Sequence, residues 1–174
     1  YPNVSGLFQQ DEEGYYYYNS NSNYYYYDTD TGVSHLYTRT YSQLTDGTSG
    51  RNAKPMGFFP FHDYDSENNL NVNQNINLNH HFGMSMEVNF ALTGNKKLKN
   101  GKDIIYDFSG DDDLWVFIND DLVLDIGGIH QPVRGYINFT TGKVYVYGVN
   151  GNQEQEVDVV KNMESGKEYT LRIR

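Results

Sequence analysis

The chain of 174 residues has no cysteine, one tryptophan and four prolines, and its 23 acidic residues outnumber 13 lysines and arginines, leaving a formal net charge of −10. Without cysteine there is no disulfide framework and no thiolate zinc site. An acidic balance of this size repels phosphate backbones and anionic lipid, so nucleic acid is excluded as a partner and direct membrane insertion is not expected. No apolar run approaches the roughly 18 residues of a membrane helix, and the opening residues do not form a signal peptide. If the protein is secreted, the chain is expected to be a processed or excised fragment of a larger one. No segment sustains a helical period over three turns, and there is no Gly-x-Ser-x-Gly elbow, phosphate loop or His-Glu-x-x-His zinc motif.

What is present is aromatic, polar and punctuated by turns. Seventeen tyrosines, nine phenylalanines and seventeen glycines suit a β-rich extracellular surface protein better than a cytosolic enzyme. The length suits one domain spanning residues 1–174, large enough to bury a core without covalent staples. Two tyrosine blocks, Tyr15 to Tyr18 and Tyr24 to Tyr27, flank a polar run from Asn19 to Asn23, which predicts a hairpin of two tyrosine strands. Asp28-Thr29-Asp30-Thr31-Gly32 fails the calcium-loop spacing and is read as a turn. Residues 47–60 read as loop, and residues 68–79 alternate Leu70, Val72, Ile76 and Leu78 with asparagines, as an extended surface excursion does. Phe82 to Phe90 reads as a strand with Met84, Met86, Val88 and Phe90 inward. Thr140-Thr141-Gly142 joins two further strand patterns, Asn150-Gly151 marks a turn, and Tyr169 to Ile173 is a last strand. Many short strands with frequent turns predict an all-β fold, a sandwich or jelly-roll.

The centre of the pattern runs from Phe108 to His130. Leu114, Val116 and Ile118 fall on one face of a strand and Trp115 and Phe117 on the other, so both faces are apolar and the strand is central. Asn119-Asp120 supplies a two-residue turn, and the return strand ends in Gly127-Gly128. Ahead of this hairpin stand Asp111, Asp112 and Asp113. Adjacent carboxylates repel one another and lose hydration on burial, so they are tolerated in water or beside a cation. The plainer alternative is a solvated loop capped by Asx-type hydrogen bonds. Asp125 and His130 are placed to close such a site from the return strand, although a histidine here also serves as a hydrogen-bonded structural residue. Asp63-Tyr64-Asp65-Ser66-Glu67 offers alternating carboxylates for a second cation.

The blocks Phe82 to Glu87, Phe108 to Ile118, Leu124 to His130 and Gly135 to Phe139 together resemble the fibro-slime domain, a branch of the PA14 β-sandwich superfamily found in bacterial surface proteins and pilus-type adhesins. The resemblance implies an antiparallel PA14-like sandwich at the bacterial cell surface. It further implies that two consecutive aspartates joined by a cis peptide hold Ca²⁺, which in turn coordinates vicinal hydroxyls of a sugar. In register, that pair is Asp111-Asp112, or Asp112-Asp113 with a shift of one. Clustered carboxylates and loop carbonyls supply the six to eight hard oxygen ligands Ca²⁺ takes. Lectin-type members complete the site from a late loop, a role open to Asn150 or Asn152, and usually continue beyond the strand that ends at Arg174, so a last strand is expected to be missing.

Three function classes follow. The first is an adhesin domain binding carbohydrate, such as a host or neighbouring-cell glycan, through Ca²⁺. The second is a structural or protein-interaction domain of a surface fibre whose Ca²⁺ only stabilises the fold. A glycoside hydrolase is the third and is disfavoured, because adjacent aspartates cannot flank a glycosidic bond from opposite sides.

Overall fold

The computed structural model describes residues 6–28, 30–38, 57–58, 64–65, 69–70, 82–111, 113–128, 131–148 and 151–174. They form two compact units, Tyr1–Phe82 and Gly83–Arg174. The fold is all-β, and its only described helix is a single turn.

In the first unit β1 (Gln9–Gln10) pairs with β2 (Tyr16–Tyr17), and β3 (Asn23–Asp28) pairs with β4 (Val33–Thr38). The two tyrosine blocks therefore do not pair with each other, contrary to the pattern's expectation. The turn after β3 leads instead into β4, with residues 30–32 in a turn and Gly32 at φ 72°. The physical reason lies in Asn23, which is buried and folds the polar run back on itself. Its side chain accepts from the Asn19 backbone N–H at 3.2 Å and donates to Gln9 Oε1 at 3.0 Å. β5 (Gly57–Phe58) runs parallel to β3, and its Phe58 ring packs on Tyr25, Tyr18 and Phe82 with centroids 5.6 Å apart. Tyr25 is fully buried, and its hydroxyl donates to Ser34 Oγ at 2.6 Å. A last pair joins β6 (Tyr64–Asp65) to β7 (Asn69–Leu70); the rest of the acidic segment 63–67 and of the asparagine-rich segment lies outside the described residues.

The second unit is a sandwich of two four-stranded antiparallel sheets. Its strands are β8 (Met86–Ala91), β9 (Ile105–Gly110), β10 (Leu114–Ile118), β11 (Asp121–Ile126), β12 (Val133–Asn138), β13 (Lys143–Gly148), β14 (Gly151–Glu156) and β15 (Glu168–Ile173). One sheet has the order β11-β10-β15-β8 and the other β14-β13-β12-β9. Leu114, Val116 and Ile118 from the first meet Val133, Ile137 and Val144 from the second in one core. Trp115 and Phe117 on the opposite face are half-buried, as the pattern predicts for an interior strand. The Asn119 turn, at φ 55°, is fastened to β15: Asn119 N–H donates to Thr170 O at 2.7 Å, and Arg172 donates to Asn119 O and Asp120 Oδ1.

The inward run expected from Met84 to Phe90 is half right. Met86 and Phe90 pack on the core, but Met84 precedes β8 and Val88 is 41% exposed. β8 is an edge strand, so only part of its apolar side finds cover. The helix α1 (Asp158–Lys161) is too short to show a period in the sequence. It is fixed by burial of Val160 and by contact with the turn at Gly142.

Candidate functional site

The acidic run lies where the chain crosses between the two sheets. β9 ends at Gly110, paired with Val133, and β10 begins at Leu114, paired with Ile126. The connection from β9 to β10 and the connection from β11 to β12 thus both pass between the sheets at the same end of the sandwich. The two crossings are fastened together by the Gly128 N–H, which donates to Asp113 Oδ1 at 2.6 Å. Asp113 Oδ2 has no protein partner among the described residues, and Asp111 and Asp113 are both exposed. Asp125, also exposed, sits opposite Trp115 in the β10–β11 register. A Cβ on Gly127 would fall 3.1 Å from Asp125 Oδ1 and 3.2 Å from Trp115 Cζ2, so glycine lets carboxylate and indole close over the backbone here.

Of the residues singled out from the sequence, Asp111, Asp113 and Asp125 are thus brought to one end of the sandwich. Asp112 and His130 lie outside the described residues, and with Asp112 the expected cis peptide; so does Asn150. Asn152 lies on β14, at the opposite edge of the sheet from β9. Among the described residues no group of three or more acidic or histidine side chains is placed to hold a metal ion. The side-chain donors of Asp111, Asp113 and Asp125 are hard oxygens, the ligand type that Ca²⁺ and Mg²⁺ prefer.

Asp113 has a structural duty whatever else it does. Replacing Asp113 with alanine leaves the Gly128 N–H to water and is expected to cost about 1 kcal/mol, since the bond is charge-assisted but exposed. Urea unfolding followed by the fluorescence of Trp115, the protein's single tryptophan, reads this directly.

Beside the crossing, the outer face of the β14-β13-β12-β9 sheet carries a group that the sequence reading missed. Register sets Ser109, Arg134, Tyr147 and Asn152 in one row across the sheet, and Asp107, Tyr136, Tyr145 and Glu154 in the next. Tyr136 and Tyr145 have centroids 4.8 Å apart, and the rings of Tyr145 and Tyr147 are parallel to within 5° at 6.1 Å. Arg134 lies over Tyr147 at 6.0 Å and grips Asp107 with two hydrogen bonds, which raise its pKa. Partial burial, reinforced by Glu154, raises that of Tyr145. The signal was legible: Tyr136, Lys143, Tyr145 and Tyr147 alternate with the buried Ile137 and Val144 and the half-buried Val146.

No family model and no solved structure matches the chain. Proteins to which it is similar include three of Dictyostelium discoideum, Protein psiB, Protein psiI and Protein psiP. It is 36% identical to Protein psiB over 90 residues, which are 49% of this chain and 15% of that protein. To Protein psiI it is 34% identical over 93 residues, 53% of this chain and 11% of the relative. To Protein psiP it is 46% identical over 52 residues, 30% of this chain and 7% of the relative. The chain thus spans a small part of each relative's length. Among the described residues no helix is long and apolar enough to cross a membrane.

Proposed function

We propose that this chain is a carbohydrate-binding domain of an extracellular surface protein, of the fibro-slime and PA14 kind, holding Ca²⁺ at the acidic crossing. Asp111 and Asp113, with Asp112 between them, would supply the carboxylates, and Asp125 the return-strand oxygen. The bound ion would polarise and orient vicinal hydroxyls of a sugar. The observation that supports this reading is the tether between Asp113 and Gly128, which holds one carboxylate of the acidic run against the glycine end of the return strand. The paired crossings also offer backbone carbonyls, a ligand type that Ca²⁺ accepts.

Calorimetric titration of the EDTA-stripped chain with Ca²⁺ tests it. Heat of binding is expected in the wild type, with affinity about tenfold weaker, or about 1.4 kcal/mol, in Asp111→Asn. A glycan array in Ca²⁺ and in EDTA then reads the ligand. No heat and no shift in melting temperature would sink the metal mechanism. The tether favours one second reading, a fibre domain in which the ion only stabilises the crossing. Retained Ca²⁺ without glycan affinity would select it.

A further inference from the structure

We propose that β8 is a self-association edge, on which a second copy of this chain pairs β8 to β8 about a two-fold axis through Val88. The proposal goes beyond the ligand reading above and uses none of its residues.

The argument begins with what the edge leaves uncovered. A sheet edge carries a row of unpaired backbone N–H and C=O groups, and proteins that stay monomeric blunt it with charge, a bulge or cover. Two of the four edges of this sandwich are blunted: β11 carries Asp121 and Asp125 and a register shift against β10, and β14 carries Glu154 and Glu156. The third edge, β9, keeps its inward Tyr106 and Phe108 half-buried against the core. β8 differs from all three. It pairs with β15 in unbroken register over six residues, holds no proline or lysine, and has no strand on its far side among the described residues. Val88 alternates onto the same side as Met86 and Phe90, which pack on the core, yet it is 41% exposed, and so is Met84 just ahead of the strand. The charge on β8 is that of Glu87, whose Oε2 accepts from Arg172 Nε at 2.9 Å, so it does not repel an approaching strand as a bare carboxylate would.

The occupant follows from the sequence of the edge itself. Residues opposite each other in an antiparallel pair point to the same side, so an axis through Val88 sets Val88 against its own copy, Met86 against Phe90, Met84 against Leu92 and Glu87 against Asn89. Each apolar residue on the inner side then meets an apolar one. On the outer side Glu87 meets an amide. Asn89 Oδ1 accepts from the Thr170 hydroxyl at 2.8 Å, and its Nδ2, without a protein partner among the described residues, is left to donate to Glu87 Oε1 across the pair. Two-fold symmetry makes this bond twice. Neighbouring registers lose the match. A slip of one residue turns apolar positions onto polar ones. An axis through Glu87 puts two carboxylates opposite each other, and one through Asn89 sets Glu87 against Ala91, which offers its side chain no hydrogen bond. The edge is thus complementary to itself in side and in charge, which selects a second copy over an unrelated strand.

The test is sedimentation equilibrium of the full chain, with amide hydrogen exchange at the same concentrations. A six-residue strand pair is a small contact, so a dimer with a dissociation constant of about 100 µM is expected. Exchange of the β8 amides that point away from β15 is expected to slow as concentration rises, while that of the β14 edge stays constant. Val88→Lys brings two ammonium groups together at the axis, and Asn89→Asp sets a carboxylate against Glu87 while keeping the acceptor for Thr170. Each is expected to weaken the dimer about tenfold, with urea unfolding by Trp115 fluorescence little changed, because both side chains are exposed. Asn89→Lys, which faces the same Glu87 with the opposite charge, is expected to associate at least as well as the wild type. No association up to about ten times that constant, association that Val88→Lys and Asn89→Asp leave intact, or Asn89→Lys as weak as Asn89→Asp would overturn the proposal. Slow exchange of the outward β8 amides already in the dilute monomer would overturn it by showing that another segment of the chain covers the edge. A dimer that needs Ca²⁺ and is lost in Asp111→Asn would overturn it by placing the contact at the acidic crossing.

Discussion

Replacing Gly142 with alanine is expected to destabilise the C-terminal unit by about 2–5 kcal/mol, the sum of two separate costs. Gly142 holds φ at 76°, a left-handed conformation that costs a residue with a Cβ about 1–2 kcal/mol. The added Cβ would also lie 2.6 Å from Lys161 Cα, 2.8 Å from its Cβ and 3.1 Å from its N. Two of these atoms are backbone, so no rotamer change relieves the clash, and forced separation of packed elements costs about 1–3 kcal/mol. The turn cannot simply move away. Gly142 N–H donates to Asn138 O at 2.9 Å and Val157 N–H donates to Gly142 O at 3.4 Å, which binds the β12–β13 hairpin to the start of the helical turn. The expected readout is a lower urea midpoint by Trp115 fluorescence with an unchanged slope. A loss below about 1 kcal/mol would show that α1 swings aside, and that its burial of Val160 matters less than the fold suggests.

The features legible in the sequence share one property: each is set by neighbours close along the chain. The β10–β11 hairpin follows from two apolar runs around Asn119-Asp120, and the β12–β13 hairpin from Thr140-Thr141-Gly142. The tyrosine blocks misled because a run of one residue type has no alternation to fix a register. Pairing was decided instead by Asn23, whose burial nothing local announces. The exposure of Val88 follows from the edge position of β8, which depends on β15 arriving from the far end of the chain. Likewise the aspartate run could be recognised as unusual, but not as a crossing between sheets. That required knowing that β9 belongs with β12 and β10 with β11 and β15. The tyrosine face needed the same knowledge, because Arg134, Tyr147 and Asn152 become neighbours only through the register of three strands.

A second large effect is expected at Asn138, a buried polar residue on the outer side of β12 that is 4% exposed. Its Oδ1 accepts from the N–H groups of Thr140 and Thr141 at 2.9 and 3.0 Å, and its Nδ2 donates to Asp103 Oδ2 at 2.9 Å and to the Tyr136 hydroxyl. This amide is the largest cause holding the Asp103 carboxyl below its usual range; burial opposes it and Lys97 assists. A depressed carboxylate contributes stability that is present above its unfolded pKa and lost as pH falls through the folded one. The wild type is therefore expected to lose part of its stability below about pH 4, where an unperturbed aspartate takes up its proton. Asn138→Asp keeps the shape and the two threonine contacts but turns the donor into a second carboxylate facing Asp103. One proton must then be shared, which raises one of the two pKa values. At neutral pH the variant is expected to be less stable by about 3 kcal/mol, the low end for an uncompensated buried charge, because the Asp103 side chain is 37% exposed and water screens the pair. On acidification from neutral pH the shared proton binds, and the variant should regain stability over a range in which the wild type stays level. Urea midpoints at pH 7.5 and pH 5 separate the alternatives. A midpoint that rises in the variant on acidification assigns the cost to charge, and one that stays low at both values assigns it to the lost hydrogen bond and the packing around Tyr136.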